Sequence, residues 1–355
     1  MTGRLSLRPF LCLFAASLMG LGWSGCDQIQ QAFNGAPAPP PPPVAQPAPP
    51  PPPPPPVQAP PAPPNPEEVA RRFSALKTHE RNDAAILDIV KYPDAASQIT
   101  ELNLGGAPIT DVGGLELGKF PNARKVNLQG TAITDKTVAA LGGILRLEEL
   151  VLTDCRISDG AIPEILKHKT LRGLYLARTS ISESALASLG ELPALEEINF
   201  AFCGSITGEG FTRGVKAGGY KALKTLIGVE TGFPAKGLEQ IRSCTNLEKV
   251  SLMDCGVSDL GLRWLSQCSE LKILLLNDTP ITDRGIAELG KLKKLEHLGV
   301  PGCGGVTDKS FNTIKNMKSL KMVDVEGTQC TEAAARLLKS RFLKDVKVRV
   351  AGKEI

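Results

Sequence analysis

Aliphatic or small apolar residues stand at Ile99, Ala123, Leu147, Leu171, Leu195, Leu223, Leu247, Leu271, Leu295 and Leu320, intervals of 24 residues apart from one of 28 and one of 25. In nearly every unit aliphatic residues follow three and five places on, as in Leu147, Leu150 and Leu152, or Leu247, Val250 and Leu252, or Leu271, Leu274 and Leu276. A period of this length requires a stack of similar supersecondary units, none of which buries its apolar face alone. The alternation at period two predicts a short strand in each unit.

Five to six residues after the strand an aliphatic residue is followed by Ser or Thr and an acid: Ile133-Thr134-Asp135, Ile157-Ser158-Asp159, Val257-Ser258-Asp259 and Ile281-Thr282-Asp283. This predicts a helix start, in which the hydroxyl caps free backbone N–H groups and the acid meets the positive end of the helix dipole. Apolar residues then recur at helical spacing, as at Ile286, Leu289 and Leu292. Each unit reads as strand, turn and helix.

The pattern resembles the leucine-rich repeats of the ribonuclease-inhibitor type, and within it the cysteine-containing variety known from F-box leucine-rich-repeat proteins. The resemblance spans Ile99 to Val350. It implies an α/β solenoid, a horseshoe of about ten β-α units with parallel strands on the concave face and helices on the convex face. For function it is nearly silent, because the fold hosts many unrelated binding roles. No F-box-like segment stands before the repeats, which sets aside a ubiquitin-ligase role.

Ahead of the repeats the chain changes character twice. Arg4 and Arg8 precede an apolar run from Pro9 to Trp23, too short to span a bilayer comfortably, then Ser24, Gly25 and Cys26. Trp23-Ser24-Gly25-Cys26 resembles a bacterial lipoprotein cleavage box, with Trp23 where Leu is usual, and this makes Cys26 the expected site of lipidation; an ordinary cleaved signal or an uncleaved anchor is the alternative. Residues Ala36 to Pro66 are almost wholly Pro and Ala, which predicts a solvated polyproline spacer. About thirty such residues reach up to about 90 Å. The expected organisation is a signal peptide over residues 1–25, a Pro-rich disordered spacer over 26–66, a helical cap over 67–98 with Val69, Phe73 and Leu76 at helical spacing, and a repeat domain over 99–355 closed by a strand containing Leu343, Val346 and Val348. The protein is expected in the cell envelope, exported and membrane-anchored, facing periplasm or exterior.

Aromatic residues make up 5% of the chain, so the core must rest on Leu, Ile and Val. Cysteines number nine, seven of them in the repeats. Cys155, Cys203, Cys255 and Cys303 fall eight residues after the first apolar mark of their units, and Thr131, Thr179, Thr231, Thr279 and Thr328 hold that position in alternate units. Cysteines two units apart lie about 10 Å from one another, beyond disulfide reach, and read as buried thiols. Cys244 and Cys268 share another position in adjacent units; packed thiols are favoured over a bridge. No C-x-x-C pair occurs, and His79, His168 and His297 are scattered, so no metal site is expected. No phosphate loop, dinucleotide fingerprint or nucleophile beside its base is recognisable, so neither catalytic nor cofactor-binding residues are assigned. The formal charge of +4, falling to about +2 on cleavage before Cys26, is spread without a basic patch, so no nucleic acid partner is expected.

Residues flanking the inward strand positions point to the concave face. Early units place Glu101, Asn103, Lys125, Asn127 and Gln129 there. Later units place Tyr175, Phe202, Ile227, Met253, Ile273 and Leu275, expected to form an apolar stripe for a protein or peptide partner, rimmed by Lys249, Asp254, Asn277, Asp278 and His297. The alternative is that these residues simply suit strands. The sixth unit has Gly228 at an inward position and Pro234 at a cap position, with extra residues near Gly218-Gly219-Tyr220 that either project as a loop or form a tolerated insertion. The functional expectation is a monomeric, non-enzymatic envelope scaffold for protein–protein interaction, anchored to the membrane through its N-terminus; a purely structural envelope tether and an unrecognised enzyme are the competing readings.

Overall fold

The computed structural model describes residues 64–355, so Cys26 and nearly all of the segment expected to be signal and spacer lie outside the described residues. Three helices come first: α1 (Pro66–Ala75), α2 (Asp83–Ile89) and α3 (Pro93–Ala96). Asn65 and Asn82 cap the first two by accepting from the N–H groups of Glu67 and Ala85. Phe73 of α1 lies 6.2 Å, ring to ring, from Phe120 of the first repeat, joining these helices to the stack.

The repeats contribute β1 (Glu101–Asn103), β2 (Lys125–Asn127), β3 (Glu149–Val151), β4 (Gly173–Tyr175), β5 (Glu197–Asn199), β6 (Thr225–Ile227), β7 (Lys249–Ser251), β8 (Ile273–Leu275), β9 (His297–Gly299) and β10 (Met322–Asp324). They pair in parallel in chain order, residue for residue, into one unclosed sheet. The middle residue of each strand, from Leu102 to Val323, is buried against the helical layer, and its two neighbours face away from it. The α-helices on that buried side run from four to ten residues, with 3-10 turns as short as three beside them. The fold is the α/β repeat solenoid anticipated from the sequence. The stack is closed by β11 (Lys347–Val350), which contains Val348 of the expected closing strand, with Leu343 and Val346 buried just before it. A further strand, β12 (Lys353–Glu354), pairs with β11 antiparallel and was not anticipated.

Seven residues after the first apolar mark, each of the ten units has a residue with positive φ: Gly106, Gly130, Asp154, Arg178, Phe202, Glu230, Asp254, Asp278, Gly302 and Gly327. The left-handed backbone turns the chain out of the strand and aims the N–H at the next unit, as from Asp154 to the Ala177 carbonyl at 3.0 Å. One residue later, the Thr131 hydroxyl donates to its own unit's Leu128 carbonyl at 2.6 Å, and the Cys155 thiol of the next unit donates to the same oxygen at 2.9 Å. Thr179 with Cys203, Thr231 with Cys255, and Thr279 with Cys303 repeat this. Threonine and cysteine alternate because one carbonyl, with two lone pairs, serves two units. All seven described cysteines are free thiols, Cys244 and Cys268 among them. Burial pushes both of those up to about 12 and Cys330 up to about 11.

The capping residues form a second ladder. Seven cap hydroxyls accept from their own helices, as Thr134 does from Lys136, while each of these units is tied backwards to the acid of the preceding helix. Thr110 donates N–H and hydroxyl to Asp83, Thr134 to Asp111, Ser158 to Asp135, Ser182 to Asp159, Thr282 to Asp259, Thr307 to Asp283 and Thr331 to Asp308, with N–H distances of 2.7 to 2.9 Å. Burial draws the Asp111 carboxyl upward, but hydrogen bonds from Thr134 and Thr137 overcome it and leave the group below its ordinary range.

The ladder lapses at the sixth unit. Pro234 has neither N–H nor hydroxyl, Ala235 has no carboxylate, and Ser258, expected to cap its helix, makes no capping hydrogen bond. The helix here is a four-residue 3-10 turn, Ala235–Leu238. The inserted residues before Tyr220 do not project as a loop: they sit where the helix Glu209–Lys216 runs to eight residues, and Tyr220 is buried with its hydroxyl on the Leu186 carbonyl at 2.5 Å. Phe200, Phe211, Tyr220 and Phe233 then form a local aromatic core, with Phe200 filling the space over Gly228. The core is mostly aliphatic elsewhere, and here Gly190, Gly208, Gly214, Gly228 and Gly237 leave room for the rings.

Candidate functional site

The face of the sheet turned away from the helices is built from the first and third residues of each strand, so its character follows two parallel rows. The first row reads Glu101, Lys125, Glu149, Gly173, Glu197, Thr225, Lys249, Ile273, His297 and Met322; the second reads Asn103, Asn127, Val151, Tyr175, Asn199, Ile227, Ser251, Leu275, Gly299 and Asp324. Its early part is self-satisfied and polar. Lys125 lies 3.9 Å from Glu101 and 3.7 Å from Glu149, and the Asn127 amide donates to Asn103 at 3.1 Å.

The residues expected to form one apolar stripe fall into three groups instead. Tyr175 stands apart, because Asn199 separates it from Ile227. Its ring lies across Gly173, where a side chain would meet it at 3.3 Å. Burial, and then the Glu197 and Glu149 carboxylates, hold its hydroxyl well above the ordinary phenol range. Phe202 is on no strand; it occupies the left-handed turn position with φ of 61°, and the Arg178 guanidinium lies 4.3 Å from its ring centroid. Ile227, Met253, Ile273, Leu275 and His297 do come together, on and just after β6 to β9, all half-buried. Ile273 pairs between Lys249 and His297, which places His297 within the strand row and not on the rim. Ile227 and Leu275 flank Ser251, which is buried between them.

Two contributors escaped the sequence reading. Val229 is half-buried at the repeat position of Met253 in the preceding unit, and Gly299 leaves room over which the Leu275 side chain lies. Both are signalled by repeat position once the units are aligned. A third feature runs along the residues just before the strands, where Arg124, Glu148, Arg172, Glu196, Lys224, Glu248, Lys272, Glu296 and Lys321 alternate in sign over nine successive units. Ion pairs of 2.6 to 3.2 Å join Arg124 to Glu148, Arg172 and Lys224 to Glu196, Lys272 to Glu248 and Lys321 to Glu296. Exposed pairs of this kind contribute little each, but a stack with the wrong neighbours would set like charges together.

Among the described residues no three His, Cys, Asp or Glu side chains are grouped to hold a metal ion, and no helix is long and apolar enough to cross a membrane. The arrangement offers contact area: a strip of half-buried aliphatic side chains on a rigid parallel sheet, with charged side chains beside it.

A Leucine Rich repeat family profile matches residues 97–118 and 243–266. No curated protein matches the sequence. Among solved structures, the chain is similar to an internalin of Listeria monocytogenes, at 15% identity and a TM-score of 0.39 over 76% of this chain and 94% of that one. It is also similar to a leucine-rich-repeat protein of Leptospira interrogans, at 14% identity and a TM-score of 0.49 over 73% of this chain and 74% of that one. The matched leucine-rich repeats fall in two of the ten strand-and-turn units of the sheet, and the stack has the fold of a leucine-rich-repeat solenoid.

Proposed function

We propose that this protein is an exported, non-enzymatic binding scaffold of the cell envelope, tethered to the membrane through a lipid on Cys26 and held off it by the Pro-rich spacer. Its partner is a protein or peptide, taken on the sheet face at β6 to β9. One observation carries the reading: Ile227, Met253, Ile273 and Leu275 lie half-buried on and just after three successive strands, β6 to β8, on the face that the helices leave open, while every inward position is filled. The alternating Thr and Cys positions support the cysteine-containing, ribonuclease-inhibitor-like repeat type.

A photo-crosslinking residue at position 273, activated on intact cells and followed by mass spectrometry, is expected to give one saturable protein adduct. The combined substitution Ile227→Ser, Ile273→Ser and Leu275→Ser is expected to abolish that adduct while lowering the melting temperature by less than about 10 °C. Capture that survives the triple substitution rejects this face. Adducts spread over wall or membrane material in proportion to abundance would instead identify a structural tether.

A further inference from the structure

The apolar strip has two unlike borders. Along the residues preceding the strands every charge beside it is matched: Lys224 with Glu196 at 2.9 Å and Lys272 with Glu248 at 2.8 Å. Along the left-handed turns on the other side, Glu230, Asp254 and Asp278 follow one another in three consecutive units, all exposed, and none forms an ion pair among the described residues. Earlier in the same row Asp154 and Arg178 lie 3.9 Å apart, so the imbalance begins after Phe202. The turns are hydrogen bonded in register, Glu230 N–H to the Met253 carbonyl at 3.0 Å and Asp254 N–H to that of Asn277 at 2.9 Å. The three carboxylates therefore rise at about one strand spacing, some 4.8 Å. Val229 and Met253 immediately precede two of them, and Phe202 occupies the same turn position one unit earlier.

Resting on the sheet-face reading above, we propose that the partner is a protein segment in which Lys or Arg residues are interleaved with apolar ones. It lies across β6 to β9 with its apolar side chains on Ile227, Met253 and Leu275 and its cations on the Glu230, Asp254 and Asp278 border. Charge complementarity selects it: an acidic or neutral segment would leave this like-charged row unneutralised, because Lys249, the cation on the strand row of the same face, forms no ion pair with it.

Glycine already serves at this turn position in Gly106, Gly130, Gly302 and Gly327, so Glu230→Gly, Asp254→Gly and Asp278→Gly together remove the carboxylates without a backbone penalty. The full chain is titrated by fluorescence anisotropy with three labelled heptapeptides, alternating leucine with lysine, with glutamate or with serine. The lysine peptide is expected to bind most tightly and to weaken with salt. The triple glycine variant is expected to bind it at least about tenfold more weakly while melting no lower than the parent. Equal binding of the lysine and glutamate peptides, or an unchanged lysine affinity in the glycine variant, overturns the proposal. If the serine peptide binds as tightly as the lysine one and Ile273→Ser abolishes both, the sheet-face reading stands and the charge selection falls. If no peptide binds, or sedimentation equilibrium reveals a dimer that Ile273→Ser dissolves, the basic segment is not the occupant and the proposal fails.

Discussion

His168 holds the row that is Phe120, Ile144, Leu192, Tyr220, Cys244, Cys268, Leu292 and Met317 in other units, three residues before the first apolar mark. It is buried, and its Nε2 has no hydrogen-bond partner. Burial holds its imidazole below the ordinary value of 6.5, the nearby Glu164 and Lys167 opposing one another. Because the folded form resists protonation, His168 is neutral and costs nothing extra above 6.5, and stability is lost as pH falls below that value toward the lower folded one. His168→Leu, which restores the residue type of its row, is expected to raise the melting temperature at acid pH more than at neutral pH. An equal shift at both would show that the imidazole takes up its proton as readily in the folded chain as in the unfolded one. The same residue scale explains what a sequence conceals: Phe202, Arg178 and Glu230 give no sign of a left-handed backbone, because that conformation is imposed by the hydrogen bond to the next turn and not by the side chain.

At the scale of the element, strand and turn were legible because their signal is repeated ten times, whereas the cap ladder was legible only by half. Ser or Thr before an acid announces a helix start, but the acid's second task, accepting from the next unit's cap, joins residues 23 or 24 apart, as in Asp135 to Ser158 and Asp283 to Thr307. That pairing becomes visible only when adjacent units are superposed. It also explains why Ser258 differs from its equivalents: Ala235 offers it nothing. Ala235→Asp is expected to give the Ser258 N–H and hydroxyl an acceptor and to stabilise the chain by about 0.5–1.5 kcal/mol. Hydrogen exchange at the Ser258 amide is expected to be faster in the parent than at Thr134, Ser158 and Thr282, and to slow into their range in the variant. No change in exchange would mean that the 3-10 turn Ala235–Leu238 holds the carboxylate out of reach. The aromatic plug of Phe200, Phe211, Tyr220 and Phe233 was likewise hidden, because four rings scattered over 34 residues, from position 200 to position 233, share no period.

For the whole molecule, each unit touches its neighbours before and after it, so stability is a sum of units and interfaces. The basic residue of the charge row and the threonine of the turn row occur in the same units, as Arg124 with Thr131, Arg172 with Thr179, Lys224 with Thr231 and Lys272 with Thr279. Glutamate and cysteine share the units between them, Glu148 with Cys155, Glu196 with Cys203, Glu248 with Cys255 and Glu296 with Cys303. The building block is therefore a doublet, and the stack has a parity. Excising residues 148–195 brings Arg124 beside Glu196 and Thr131 beside Cys203, a junction like the others; excising only 148–171 sets Arg124 against Arg172 and Thr131 against Thr179. Chemical denaturation is expected to show less stability lost per unit removed for the double excision, by about 1 kcal/mol. Lineages of such a chain would then lengthen and shorten in steps of two, keeping odd counts odd and even counts even between any two matched landmarks.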